Sequence, residues 1–137
     1  MKLTDPVLSI MTKEVCSLTP NHLLLDVKHI FEKKAFHHHI PIVTDKKLVG
    51  MVSLIDFMRK IGSASLDDAD PVYQTPVNEI MTLTPYKINT DRSIKDAIEL
   101  LLSGSIHALV VTNDKNEVVG MLSTKDFLKI FLFDKHT

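Results

Sequence analysis

The sequence predicts an α+β protein of the broader α/β type, made of two β-α-β-β-α repeats that pack sheet to sheet. Two stretches of the 137-residue chain resemble each other in order and spacing. In each stretch, segments with helical periodicity and segments with strand periodicity follow one another in the same order. A half of this size leaves one face of a small sheet uncovered, so two copies are needed to bury the apolar surface.

The duplication is visible in pairs of segments at a constant offset. Residues 7–12 return as 77–82, 49–51 as 119–121, and 53–57 as 123–127. The offset shortens by two only where 39–44 matches 107–112, and turns tolerate such changes. We therefore predict a first repeat at 1–60, a linker at 61–76 and a second repeat at 77–137. The linker is polar with two prolines, so we expect it to be mostly exposed.

Within each copy the elements follow from the apolar spacing. An extended entry segment, at 15–18 and 86–89, precedes an amphipathic helix. Two short apolar strands joined by a polar turn come next, at 40–43 and 48–52, and at 109–111 and 118–122. A last helix runs from 54 to about 61, or from 124 to about 133. The first helices carry their apolar residues at three-to-four spacing: Leu24, Val27, Ile30 and Phe31 in the first copy, and Ile94, Ala97, Ile98, Leu101 and Leu102 in the second.

Composition argues against several classes of partner. The net charge is −1 and no basic stripe is present, which disfavours nucleic-acid binding. The apolar runs are far shorter than the ~18 residues of a spanning helix, and the N-terminus resembles no secretory signal. A single cysteine, Cys16, fits a reducing compartment. We expect a cytoplasmic protein that binds neither nucleic acid nor membranes.

A Gly-x-x-Ser-x-x-Asp motif occurs in both copies, at 50–56 and 120–126. Each serine stands where a strand hands over to a helix, beside free backbone N–H groups that can bind phosphate oxygens. A carboxylate three residues later can accept hydrogen bonds from both hydroxyls of a ribose. The same spacing also predicts a capping box, in which serine and acid only close the helix end. Spacing alone leaves both interpretations open.

The repeated Ile-Met-Thr, His-Ile-Pro-Ile-Val and Gly-x-x-Ser-x-x-Asp-Phe elements make the chain resemble a tandem pair of CBS domains, a Bateman module. The resemblance covers nearly the whole chain. It implies a pseudo-twofold arrangement with two clefts between the repeats and regulatory binding of AMP, ADP or ATP. Another adenosyl ligand such as S-adenosylmethionine is the alternative. It further implies a ribose-binding role for Asp56 and Asp126 with support from Ser53 and Ser123, frequent pairing of modules, and no catalysis.

The resemblance also implies two unequal ligand sites. We expect the first to join Cys16, His38, His39, Ile40 and Pro41 with Ser123, Lys125 and Asp126. The second would join Tyr86, Lys87, His107 and Ala108 with Ser53 and Asp56. Lys125 replaces the Ile55 of the other motif and adds a positive charge, so we prefer the first site for the nucleotide. Tyr86 could stack on adenine, although an aromatic residue at a strand start is as often part of a core.

The run of three histidines does not predict a metal site. Neighbours in an extended strand point to opposite faces, so at most His37 and His39 could share an ion. We expect neither a metal nor a catalytic cofactor.

Three functions follow from these patterns. The first is a ligand sensor that passes its state to an unidentified regulated protein. The second is a ligand-free dimerisation or scaffold module, because the helices near Met58 and Phe131 have apolar positions to spare. An enzyme is the least favoured, since no nucleophile is paired with a base and no glycine loop could cradle phosphates.

Overall fold

The computed structural model describes residues 1–33, 38–104 and 106–133, apart from the side chain of Phe133. The described residues contain helices α1 (Leu24–Lys33), α2 (Leu54–Ile61), α3 (Ile94–Ser103) and α4 (Thr124–Phe133). They also contain strands β1 (His39–Thr44), β2 (Lys47–Ser53), β3 (Lys87–Asn89), β4 (Ala108–Thr112) and β5 (Val118–Ser123). Short 3-10 turns lie at Val7–Ser9, Pro71–Gln74 and Val77–Glu79. Helices and two small sheets confirm the α+β prediction.

An antiparallel hairpin forms the centre of each copy. β1 pairs with β2 from His39 opposite Ser53 to Thr44 opposite Lys47. The two turn residues, Asp45 and Lys46, have positive φ angles of 51° and 70°. Two such residues are what a tight hairpin turn requires to match the twist of the strands. In the second copy β4 and β5 are also antiparallel, with Ala108 opposite Ser123.

The entry segments of the two copies differ. In the second copy β3 runs parallel to β4 and completes a three-stranded sheet. In the first copy the corresponding segment bridges β1 through Leu18, whose N–H donates to the Pro41 carbonyl at 3.2 Å. The Leu18 carbonyl accepts from the Val43 N–H at 2.8 Å. The first copy therefore has a two-stranded sheet with one bridging residue.

The chain divides into two compact units that exchange segments between the copies. The contiguous unit is residues 16–84, and the split unit is 1–15 together with 85–137. In the split unit Thr12 exchanges two backbone hydrogen bonds with Met121, at 2.9 and 3.0 Å. In the contiguous unit Thr82 does the same with Met51, at 2.8 and 3.0 Å. Each Ile-Met-Thr segment thus packs on the hairpin of the other copy, which the alignment of the copies did not predict.

Glycine in the motif permits this close approach. Gly50 and Gly120 lie within β2 and β5, directly under the exchanged segments. A Cβ at Gly120 would lie 2.5 Å from the Met11 Sδ and 2.9 Å from the Thr12 carbonyl oxygen. These distances are below any ordinary van der Waals contact. The glycines of Gly-x-x-Ser-x-x-Asp therefore serve packing within each unit.

Each unit has its own hydrophobic core, and each core includes a valine from the exchanged segment. The contiguous unit buries Leu18, Leu24, Val27, Ile40, Ile42, Val52, Phe57, Tyr73 and Val77. The split unit buries Val7, Ile88, Ile94, Ala97, Leu109, Val111, Leu122 and Phe127. The amphipathic periodicity predicted most of these helix and strand positions.

The linker is more ordered than its composition predicts. Residues 65–69 are exposed as expected, but Tyr73 is fully buried against Phe57. Its hydroxyl donates to the Ser65 carbonyl oxygen at 2.8 Å. The Leu24 N–H donates to the Thr75 carbonyl oxygen, so the linker also closes the start of α1. Most of the linker is exposed as expected, and Tyr73 is the exception because its aromatic side chain completes the core.

Among the residues that the structure describes, none of the helices has both the length and the apolar character needed to cross a bilayer.

Candidate functional site

Both Ser-x-x-Asp motifs lie at a junction between a strand and a helix. Ser53 is the last residue of β2 and α2 begins at Leu54. Ser123 is the last residue of β5 and α4 begins at Thr124. The serine and aspartate of both motifs are half-buried. Each unit therefore presents a hydroxyl and a carboxylate on the first turn of a helix.

In the contiguous unit the motif forms half of a capping box. The Asp56 N–H donates to the Ser53 Oγ at 3.0 Å. The return bond, from the Ser53 N–H to the Asp56 carboxylate, is not among the hydrogen bonds of the described residues. The carboxylate instead has Arg59 Nη1 3.9 Å away, beyond hydrogen-bond distance, and Arg59 is largely exposed. Asp56 therefore retains its capacity to accept hydrogen bonds.

In the split unit the box is complete. The Asp126 N–H donates to the Ser123 Oγ at 3.3 Å. The Asp126 Oδ2 accepts from the Ser123 N–H at 2.8 Å and from the Ser123 hydroxyl at 3.1 Å. The capping interpretation of the sequence spacing thus describes Ser123 and Asp126 fully, and Ser53 and Asp56 only in part.

Each histidine segment lies beside the serine of its own copy. His39 is opposite Ser53 in the hairpin, and the His38 carbonyl oxygen accepts from the Leu54 N–H at 2.8 Å. In the split unit the His107 carbonyl oxygen accepts from the Thr124 N–H at 3.0 Å. The backbone before each strand therefore anchors the first residue of the helix that follows the motif.

The remaining candidate residues differ in exposure. His38, Tyr86, Lys87, His107 and Lys125 are exposed, Cys16 and His39 are half-buried, and Ile40, Pro41 and Ala108 are buried. Ile40 packs into the core of the contiguous unit. The Lys87 ammonium donates to the Asn116 Oδ1 at 2.7 Å. The grouping of these residues into two ligand sites stays a prediction, and His37 lies outside the described residues.

A polar cluster that sequence reasoning missed joins α1 to the linker. The ligand atoms of His29, Glu32 and Asp68 lie within 4.8 Å of one another, a spacing that could hold a metal ion. The buried Lys28 already places its ammonium 2.6 Å from Asp68 and 3.4 Å from Glu32. A lysine cation therefore neutralises the carboxylates where a metal would sit. The only sequence signal is the i, i+3 spacing of His29 and Glu32, since Asp68 is distant in the chain.

Lys28 and Asp68 form the ion pair at the centre of this cluster. The hydrogen bond from Lys28, followed by that from His29, lowers the pKa of the Asp68 carboxyl. The same bond to Asp68 raises the pKa of Lys28. The ion pair therefore stabilises the linker until acid protonates the carboxyl below its usual range or strong alkali deprotonates the lysine.

Comparison with known families identifies the class of protein that these two motifs and two small sheets define. The model of the CBS domain matches residues 7–63 and again 77–132. The chain belongs to the CBS domain family and carries the domain as a tandem pair, which confirms the resemblance seen in the sequence.

A relative and two solved structures illustrate this membership. The protein MJ1232 of Methanocaldococcus jannaschii is 32% identical over 118 residues, which are 86% of this chain and 36% of that protein. The chain thus spans about a third of this curated relative. One solved structure is the CBS pair of protein MJ0100 in complex with 5-methylthioadenosine and S-adenosyl-L-methionine. Its TM-score to this chain is 0.80 at 21% identity, and the alignment covers 96% of this chain and 98% of the MJ0100 chain.

The second structure is CBSX2 of Arabidopsis thaliana in complex with AMP. Its TM-score to this chain is 0.80 at 22% identity, and the alignment covers 96% of this chain and 98% of the CBSX2 chain. At such identities these two likenesses show the fold alone.

Proposed function

We propose that this CBS pair is a regulatory module that binds an adenine nucleotide of the AMP, ADP or ATP type and performs no catalysis. The observation that carries the proposal is the pair of half-buried Ser-x-x-Asp motifs at helix starts. A carboxylate there can accept from both ribose hydroxyls while the serine hydroxyl contacts phosphate. The motif supplies recognition without a nucleophile activated by a base.

The class of ligand is proposed from the chemistry that the related structures share. AMP, 5-methylthioadenosine and S-adenosyl-L-methionine, the ligands named for CBSX2 and MJ0100, all contain a ribose joined to adenine. A carboxylate that accepts both ribose hydroxyls would serve each of them equally. S-Adenosylmethionine is therefore the alternative ligand, distinguished from a nucleotide by its positive charge in place of phosphate.

Ligand binding is tested with thermal shift measurements in the presence of AMP, ADP, ATP or S-adenosylmethionine. A ligand at ten times its dissociation constant should stabilise the protein by about 1.4 kcal/mol, a shift of several degrees in Tm. Combined Asp56→Asn and Asp126→Asn substitutions should abolish the shift, because asparagine is uncharged and has only one side-chain oxygen, so it cannot accept one ribose hydroxyl on each of two oxygens.

Asp45→Asn is the matched control. Asp45 is an exposed acid in the β1–β2 turn with a positive φ that asparagine tolerates, so the substitution changes charge alone. This variant should keep the full ligand shift. The proposal is wrong if none of the four compounds stabilises the wild-type protein at millimolar concentration, or if the combined variant binds as well as the wild type.

We also propose that the module forms a homodimer through exposed apolar helix faces. On α4, Leu128 and Phe131 are 62% and 59% exposed, one turn apart. On α2, Ile55 and Met58 are 61% and 56% exposed at the same spacing. Phe57, next to Met58 in the chain, is buried in the core and is not part of this face. A second copy of the chain offers identical apolar surface and can cover these positions.

Dimer formation is tested by Leu128→Glu in analytical ultracentrifugation over a range of protein concentrations. A charge on the apolar face should raise the dimer dissociation constant about tenfold or more. Leu102→Glu is the control, since Leu102 is 81% exposed on α3 and its replacement adds the same charge away from that face. A monomeric wild type, or equal effects of the two substitutions, would exclude this interface.

A further inference from the structure

The two Ser-x-x-Asp motifs have the same spacing but different hydrogen bonds. In the split unit the Asp126 Oδ2 already accepts two hydrogen bonds from Ser123. In the contiguous unit the described residues place no hydrogen-bond donor on the Asp56 carboxylate, whose neighbour Arg59 remains 3.9 Å away. The acid of the first copy is therefore available to a ligand as it stands, whereas the acid of the second copy is engaged with its own serine.

The two serine hydroxyls also differ in their hydrogen bonds, and again the one in the first copy is less engaged. The Ser123 hydroxyl donates its proton to Asp126 and accepts from the Asp126 N–H. The Ser53 hydroxyl accepts from the Asp56 N–H, and among the described residues its own proton goes to no acceptor. A hydroxyl has one proton to donate, so Ser53 can still donate it to a phosphate oxygen while Ser123 must first release Asp126.

From these two differences we infer that the site containing Ser53 and Asp56 binds the nucleotide first and more tightly than the site containing Ser123 and Asp126. The inference rests on the proposed function. When the two ribose hydroxyls bind one on each carboxylate oxygen, Asp126 has to release at least one of the bonds from Ser123, because its Oδ2 already accepts two. A hydrogen bond to a charged group that must be broken weakens affinity by about tenfold.

The positive charge of Lys125 favours the opposite order, and it is the reason the sequence alone prefers the site of Asp126. Lys125 is exposed, and water and salt screen the attraction of an exposed ammonium for phosphate. The broken hydrogen bonds are short-range and act on the carboxylate itself. The state of the carboxylate and hydroxyl therefore decides the order of binding.

Isothermal titration with AMP, followed by titration with ATP, tests the order in full-length single variants. The wild type should show two binding events that differ about tenfold in dissociation constant. Asp56→Asn should remove the tight event and leave the weak one, whereas Asp126→Asn should leave the tight event. Asparagine retains a side-chain oxygen that can accept the capping bond from the Ser123 N–H, and circular dichroism checks that each variant is folded.

The outcomes separate this inference from the proposed function. Loss of the tight event in Asp126→Asn, or two equal events in the wild type, would overturn the order while leaving nucleotide binding in place. Absence of any heat from AMP, ATP and S-adenosylmethionine with the wild type would contradict the proposed function itself. Titration at raised salt is the second measurement. If Lys125 sets the order of binding, the difference between the two dissociation constants should shrink or reverse as salt rises, whereas a difference set by the carboxylates should persist.

Discussion

Replacing Tyr73 by alanine is expected to lower the free energy of unfolding of the contiguous unit by about 3–5 kcal/mol. The tyrosine is fully buried, stacks on Phe57 with ring centroids 6.4 Å apart, and lies 5.5 Å from the Lys28 ammonium. Truncation to alanine leaves a cavity among side chains that α1 and α2 hold in place. Because small domains have about 5–15 kcal/mol in total, urea denaturation should show a greatly reduced midpoint.

Two further substitutions identify the origin of this loss. Tyr73→Phe removes only the bond from the hydroxyl to Ser65 and should cost about 1 kcal/mol. Tyr86→Ala removes the other tyrosine of the chain, which is 52% exposed, and should change stability by less than about 1 kcal/mol. If Tyr73→Ala were no more destabilising than Tyr86→Ala, the linker would not be part of the core.

Replacing Gly120 by alanine is expected to destabilise the split unit by about 1–3 kcal/mol. The added Cβ would meet the Met11 side chain and, at 2.9 Å, the Thr12 carbonyl oxygen. The methionine can move, but the carbonyl belongs to a backbone held by two hydrogen bonds to Met121. Gly50→Ala should act similarly on the contiguous unit, where the new Cβ would lie 3.0 Å from the Thr82 carbonyl oxygen. Thermal and urea denaturation measure both effects.

Gly104→Ala provides the matched control for these substitutions. At Gly104 the nearest atom would lie 3.6 Å from the new Cβ, an ordinary contact, and the φ of −119° suits any residue. The variant should be as stable as the wild type or slightly more stable, by about 0.4–1 kcal/mol. Adding Met11→Ala to Gly120→Ala should recover part of the loss, and an unchanged loss would place the clash at the backbone alone.

Periodicity and duplication were sufficient to predict the elements of the fold. The second helix of each copy begins and ends where the sequence predicts, at Leu54–Ile61 and Thr124–Phe133. The exchange of the Ile-Met-Thr segments was not predicted, because self-similarity aligns two copies without stating which copy contacts which. The burial of Tyr73 was missed for a different reason. Its neighbours are acids, serine and prolines, so the average composition indicated solvent although one side chain reaches the core.

The sequence identifies the candidate motifs but does not show how the two copies of the motif differ. The motif correctly places each serine and acid at a junction between strand and helix. It cannot distinguish Asp56 from Asp126, since both follow a serine at the same spacing and differ only in side-chain direction. The charge of Lys125 is the one difference in charge between the two motifs. The grouping of residues from both copies into shared ligand sites remains a prediction that the titrations above address.

The discontinuity of the split unit determines when each half can form during synthesis. The contiguous unit, residues 16–84, is synthesised before residues 85–137 of the split unit. Residues 1–15 stay without their partner hairpin until β5 has been synthesised and has left the ribosome. Contacts so distant in sequence close slowly, so the contiguous unit is the part that a nascent chain completes first.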